Sequence, residues 1–83
     1  MNNVKHNVSF ENAIEVFKDA LALTIYDEEH SDTEERWITL GKTSNSNVLL
    51  VVHTYVEYNS NQTNIRIISA RKASNKEKKY YQK

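Results

Sequence analysis

The sequence predicts an α+β domain: an antiparallel sheet of about four strands with helices packed on one face. Three observations predict it. An apolar series at helical spacing follows Ser9. Between residues 35 and 72, β-rich runs alternate with short polar turns, as successive hairpins do. Finally, Ser74-Asn75-Lys76-Glu77 has capping-box spacing and opens a terminal helix. The chain has 83 residues, which sets one small domain with a modest core, since a chain this short buries only about 60% of its unfolded surface.

The first helix is expected over Phe10–Asp19. Phe10, Ala13, Ile14, Phe17, Ala20 and Leu21 recur at three, four and seven residues and make one face apolar. The Ser9 hydroxyl can accept from an orphan first-turn N–H, and Glu11 and Glu15 suit the positive end of the helix dipole. Ala22–Tyr26 reads as a strand that ends in the acidic loop Asp27–Asp32. In Glu35–Lys42, Ile38 and Leu40 share one side and Trp37 and Thr39 the other, with Gly41, the single glycine, near the end. Thr43–Asn47 is a turn by composition. Val48–Tyr58 is the most apolar strand, and both its faces read as buried, so it should be central. After a second polar turn, Asn64–Lys72 is the last strand, and Ala73–Lys83 the last helix, with Tyr80 and Tyr81 as its apolar face.

Charge is balanced, 11 Lys+Arg against 11 Asp+Glu, but poorly mixed. Residues 11–35 carry nine acids and one base, whereas residues 66–83 carry seven bases and one acid. Such a basic pole is a reason to consider a polyanion partner; a solvated charged face is the plainer alternative. The absence of cysteine excludes a disulfide framework, a thiolate nucleophile and a Cys-ligated zinc site. The longest apolar run, Val48–Val52, is far short of the ~20 residues of a membrane helix. The start has no signal-peptide pattern, so a cytoplasmic location with no membrane partner is expected. One glycine excludes Gly-rich phosphate loops of the Walker or dinucleotide type.

Candidate chemistry is sparse. His6, His30 and His53 share no helical spacing, so no metal site and no cofactor are expected. His6, beside Lys5 in a loop, is the best placed of the three for proton transfer. His53, in the central strand, reads as structural, and His30, in the acidic loop, as solvated. Glu28-Glu29 and Glu34-Glu35 read as solvated loop, because adjacent strand positions face opposite ways. Arg66 and Arg71 are an odd number apart and fall on opposite faces of a regular strand. Lys76, Lys79 and Lys83 form one basic stripe, interleaved with Tyr80 and Tyr81. Bases stack on such rings while cations meet phosphates, although packing on the sheet is the better role for Tyr81. Metal-free RNA cleavage needs little more: a group to take the 2′-OH proton, an arginine fork for the phosphate charge and a proton for the leaving oxygen.

Three stretches carry a resemblance. They are Lys5-His6-Asn7-Val8-Ser9-Phe10-Glu11-Asn12-Ala13, Glu35-Arg36-Trp37-Ile38-Thr39-Leu40-Gly41, and Ile65-Arg66-Ile67-Ile68-Ser69-Ala70-Arg71-Lys72-Ala73-Ser74. In order and spacing the sequence resembles the BrnT family of bacterial toxins. The resemblance implies a RelE-like α+β fold and an RNA endonuclease toxin of a type II toxin–antitoxin pair that inhibits translation. It also implies a BrnA-like antitoxin, in a toxin–antitoxin hetero-oligomer, and mRNA as target, free or on the ribosome. Carried over by position, Arg71 is the first catalytic or phosphate-stabilising candidate, followed by His6 and Lys5. Arg66 and Lys72, with Lys76, Lys79 and Tyr80, are candidates for holding RNA, and Trp37 fits core packing. Two departures stand out. Asn7 replaces the family's Gly, and Asn tolerates the left-handed conformation such a turn needs. Family members also carry a further strand and helix before the Lys-His pair, so residues 1–83 are expected to form a single domain lacking that strand and part of the helix. A shortened, catalytically inactive module that binds antitoxin is the alternative function.

Overall fold

A computed structural model describes residues 3–4, 8–59 and 61–81, and the side chains of all of these except 3, 4 and 56–58. The elements in order are β1 (Asn3–Val4), β2 (Val8–Ser9), α1 (Phe10–Glu15), β3 (Leu23–Tyr26), β4 (Trp37–Lys42), β5 (Val48–Asn59), β6 (Gln62–Lys72) and α2 (Asn75–Tyr81). Short 3₁₀ turns follow α1 at Val16–Lys18 and β3 at Glu28–His30. β1 and β2 form a small antiparallel pair; β3-β4-β5-β6 form a four-stranded antiparallel sheet in sequence order. This is the expected α+β class and sheet.

The helices divide between the two sheet faces instead of sharing one. β5 is the reason, because its apolar residues alternate onto both faces and each face needs a cover. Leu49 and Val51 join Val8, Ala13, Val16 and Ala70 beneath α1. Val48 and Leu50 join Leu40 and Ala73, with Ile38, Val52 and Tyr81 packed against them, beneath α2. Fully buried Val16 and Val51 each contribute about 1.5–3 kcal/mol of transfer free energy.

α1 begins as its sequence indicates: the Ser9 hydroxyl accepts from the Asn12 N–H at 3.1 Å. It is shorter than the apolar spacing predicts, because the chain tightens after Glu15 and turns extended at Asp19. That change of phase buries Val16 and leaves Phe10 and Ile14 exposed. Gly41 permits the docking. A Cβ there would lie 2.6 Å from Val16 Cγ1 and 2.9 Å from the Val16 carbonyl oxygen, closer than atoms pack.

Register sets which side chains meet. Thr39 pairs with Val51 and Leu40 with Leu50 across β4 and β5. Between β5 and β6, Leu50 pairs with Arg71 and Thr54 with Arg66, with a register shift at Val52/His53. Val52 faces Ser69 while His53 faces Ile67, so Ile68 is an extra residue in β6. Five residues of β5, 50–54, therefore oppose six of β6, 66–71. The parity expected for a regular strand is lost, and Arg66 and Arg71 share the face covered by α2.

On the α1 face, aromatic rings run across the sheet. Phe17 meets His53 edge-on at 4.8 Å, His53 meets Tyr55 at 5.0 Å, Tyr55 meets Trp37 at 5.7 Å and Trp37 meets Tyr26 at 5.0 Å. His53 is fully buried, with Nε2 2.7 Å from the Thr39 hydroxyl. Burial pushes its pKa down, which fits the structural role expected of it.

Candidate nucleic-acid interface

On the α2 face, a concavity of about 370 Å³ is lined by Asp27, His30, Arg36, Ser69, Arg71 and Glu77 over a floor that includes Ile38, Leu50 and Val52. Three segments far apart in sequence converge there: the acidic loop after β3, the end of β6 and the first turn of α2.

Arg71 stands at the end of β6. Its guanidinium donates through Nη1 to Glu77 Oε1 at 2.8 Å and through Nη2 to Glu77 Oε2 at 2.7 Å. Such a forked, charge-assisted pair is among the stronger side-chain contacts. Glu77 is itself fixed by the capping box: its Oε1 accepts from the Ser74 N–H at 2.8 Å, and the Ser74 hydroxyl accepts from the Glu77 N–H at 3.2 Å. Arg71 holds the Glu77 carboxyl down to about 2, against the opposing effect of burial, with further help from the Ser74 N–H. Glu77 in turn raises the Arg71 pKa.

Arg66 donates through Nη2 to both carboxylate oxygens of Glu34, at 2.5 and 2.6 Å. Arg36 Nη2 lies 4.0 Å from the same carboxylate. The Arg36 Nε–H is buried and has no hydrogen-bond acceptor among the described residues. Glu34 is thus more than solvated loop, since it ties the acidic segment to β6.

His30 is solvated, as expected, but it is not without a partner. Its ring is exposed, but Nδ1 lies 3.0 Å from Asp27 Oδ2. The turn that carries it is pinned to Arg36. The Asp27 N–H donates to the Arg36 carbonyl at 2.9 Å, the Ser31 hydroxyl donates to the Asp27 carbonyl at 2.6 Å, and the same hydroxyl accepts from the Arg36 N–H at 3.0 Å. Sequence reading missed Arg36, Asp27 and Ser69 as parts of one site. The Asp27-Glu28-Glu29-His30 spacing was the available signal, because i and i+3 lie close in a single helical turn.

The other sequence candidates scatter. Lys5 and His6 lie outside the described residues. Lys72 is exposed next to Arg71 and pairs with Leu49, which places it on the opposite face. Lys76 and Lys79 are exposed on α2. Tyr80 lines an apolar groove of about 380 Å³ with Leu23, Ile25, Ile38 and Leu40. Tyr81 packs against the core, and its hydroxyl donates to the Asp19 carboxylate. That bond lifts the Tyr81 pKa to about 12 and lowers that of Asp19, which also accepts the Leu21 and Lys42 N–H groups. Among the described residues no group of three or more His, Cys, Asp or Glu is placed to hold a metal, and no helix is long and apolar enough to cross a membrane.

The Arg71 fork, Arg36 and the His30–Asp27 pair thus line one concavity on a small antiparallel sheet, and a guanidinium fork is a geometry that suits phosphate as well as carboxylate. Comparison with protein families gives that arrangement a specific context. The model of the BrnT family, described as the ribonuclease toxin of a type II toxin–antitoxin system, matches residues 1–77. The chain belongs to this family, and membership of a type II system implies an antitoxin partner. Comparison with curated proteins gives no match.

Proposed function

We propose that this chain is an endoribonuclease toxin that cuts mRNA without a metal ion, thereby inhibits translation in the cytoplasm, and is neutralised by a BrnA-like antitoxin. The observation that carries the proposal is the convergence of Arg36 and Arg71 on one concavity in a member of a ribonuclease toxin family. Arg71 supplies charge to the scissile phosphate, whose negative charge grows as the 2′-oxygen attacks. A fork of N–H donors aimed at that charge typically accelerates reaction by ~10²–10³-fold. For this to happen Glu77 must yield the fork to phosphate, which has matching geometry. Arg66, Lys76 and Lys79 then meet flanking phosphates and Tyr80 a base, with Lys72 reaching the backbone from the sheet edge. Lys5 and His6 remain catalytic candidates on the family resemblance.

The test is induced expression in a bacterium, following growth and mRNA integrity. The wild-type chain should arrest growth and fragment mRNA, and Arg71→Ala should relieve both. Because Arg71→Ala also strands Glu77, Glu77→Gln is the control for a loosened α2: it breaks the same ion pair but keeps the arginine. Toxicity of Arg71→Ala equal to wild type, or equal loss in both variants, refutes the assignment of Arg71. Antitoxin binding with no RNA cleavage by the wild-type chain would instead identify a binding module.

A further inference from the structure

We propose that His30, oriented by Asp27, is the proton acceptor for the attacking 2′-hydroxyl, an inference that rests on the ribonuclease reading above. Four observations support it. First, His30 lines the concavity that Arg36 and Arg71 also line, so it stands where phosphate charge would be held. Second, the pair is graded from inside to outside: the Asp27 side chain is 12% exposed and that of His30 62%, so the carboxylate is the anchor and the ring the outer group. Third, Nδ1 is engaged by both carboxylate oxygens, at 3.2 and 3.0 Å, while Nε2 has no hydrogen bond among the described residues. With the proton held on Nδ1, the Nε2 lone pair is the one left to accept a proton. A carboxylate behind the ring fixes tautomer and orientation and faces the positive charge the ring acquires on protonation. Fourth, the Ser31 and Asp27 bonds to the Arg36 backbone fix the spacing between the base and one of the phosphate-facing arginines. A loop staple would need none of this convergence on the concavity.

The step balances as a transesterification. The 2′-oxygen forms a bond to phosphorus as its proton passes to His30 Nε2. The bond from phosphorus to the 5′-oxygen breaks, and its electron pair leaves with that oxygen, which takes a proton from water. The imidazolium returns its proton to the hydroxide so formed. The products are a 2′,3′-cyclic phosphate and a 5′-hydroxyl, with no oxidant or co-reactant needed.

The test uses the full chain in a reconstituted translation reaction programmed with one mRNA, so that both free and ribosome-bound RNA are present. His30→Ala should slow cleavage ~10²-fold or more, leave thermal stability and RNA affinity unchanged, and regain activity when imidazole is added. Asp27→Asn should cost less, because the ring remains. Wild-type cleavage should leave cyclic phosphate ends, and an mRNA with a 2′-deoxy nucleotide at the mapped cut should resist. Retained activity in His30→Ala overturns the proposal alone, as does a loss that tracks RNA affinity or that imidazole does not restore. Intact mRNA with the wild-type chain refutes the ribonuclease reading and this proposal with it, whereas loss in Arg71→Ala but not in His30→Ala leaves that reading standing and removes His30.

Discussion

Replacing Glu77 by Gln isolates the charge of the Arg71–Glu77 pair, because Gln is still able to accept the Ser74 N–H and so keeps the capping box. The drop in the Glu77 carboxyl from an ordinary 4.5 to about 2 corresponds nominally to about 3 kcal/mol at about 1.4 kcal/mol per tenfold. The Arg71 side chain is 39% exposed and that of Glu77 27%, so water screens the pair and about 1–2 kcal/mol is the working magnitude. The sign follows from the direction of the shift. A carboxyl depressed on folding stabilises fully above its unfolded value of 4.5, and this contribution erodes as pH falls toward about 2. Urea unfolding at pH 7 should therefore find Glu77→Gln less stable by about 1–2 kcal/mol, and at pH 3 that gap should be roughly halved or smaller. A variant as stable as wild type at pH 7, or a gap of equal size at both pH values, would refute the coupling.

Two further substitutions probe the frame that carries the site. Gly41→Ala should lower stability by about 1–3 kcal/mol, seen as a drop in Tm, because the added Cβ meets the Val16 backbone as well as its side chain; an unchanged Tm would show that α1 shifts freely. Tyr81→Phe should cost about 1 kcal/mol in chemical unfolding at neutral pH, since it removes the hydroxyl that donates to Asp19 and joins α2 to the end of the α1 segment; stability equal to wild type would mean that the backbone donors to Asp19 suffice.

Much of the frame is legible in the sequence because it depends on local rules. Ser9 caps α1 and Ser74 with Glu77 caps α2, each through a bond spanning three residues. Alternation in β4 and β5 assigns Ile38, Leu40, Val48 and Leu50 to one face, as observed. The site is less legible, because it is made by long-range events. Nothing in Asn64–Lys72 marks Ile68 as an extra residue, and the bulge is set by the register of β5 against β6. Likewise Glu34 and Arg66 are 32 residues apart, so the acidic loop reads as solvated until the sheet brings the two together. The 3₁₀ turn at Val16–Lys18 is a third case: the apolar spacing continues through it, but packing against Gly41 selects Val16.

On the proposed function, the bulge is also what lets a chain of balanced charge serve a polyanion. Without it, Arg66 and Arg71 would divide between the two faces and each would act alone. With it, both face the α2 side, the side on which Arg71 joins Arg36 around the concavity. Concentrating arginines in this way carries a cost, because like charges repel and long side chains lose freedom when fixed. Glu34 and Glu77 offset that cost in the free protein by gripping the Arg66 and Arg71 guanidinium groups with both carboxylate oxygens. A carboxylate and a phosphate present similar paired oxygens to such a group. On the proposed function, the arginines are therefore held in ligand-ready geometry by stand-ins drawn from the protein's own acidic residues. RNA binding then becomes an exchange of one anion for another at the same guanidinium groups, with the Glu34 and Glu77 carboxylates as the parts that must give way.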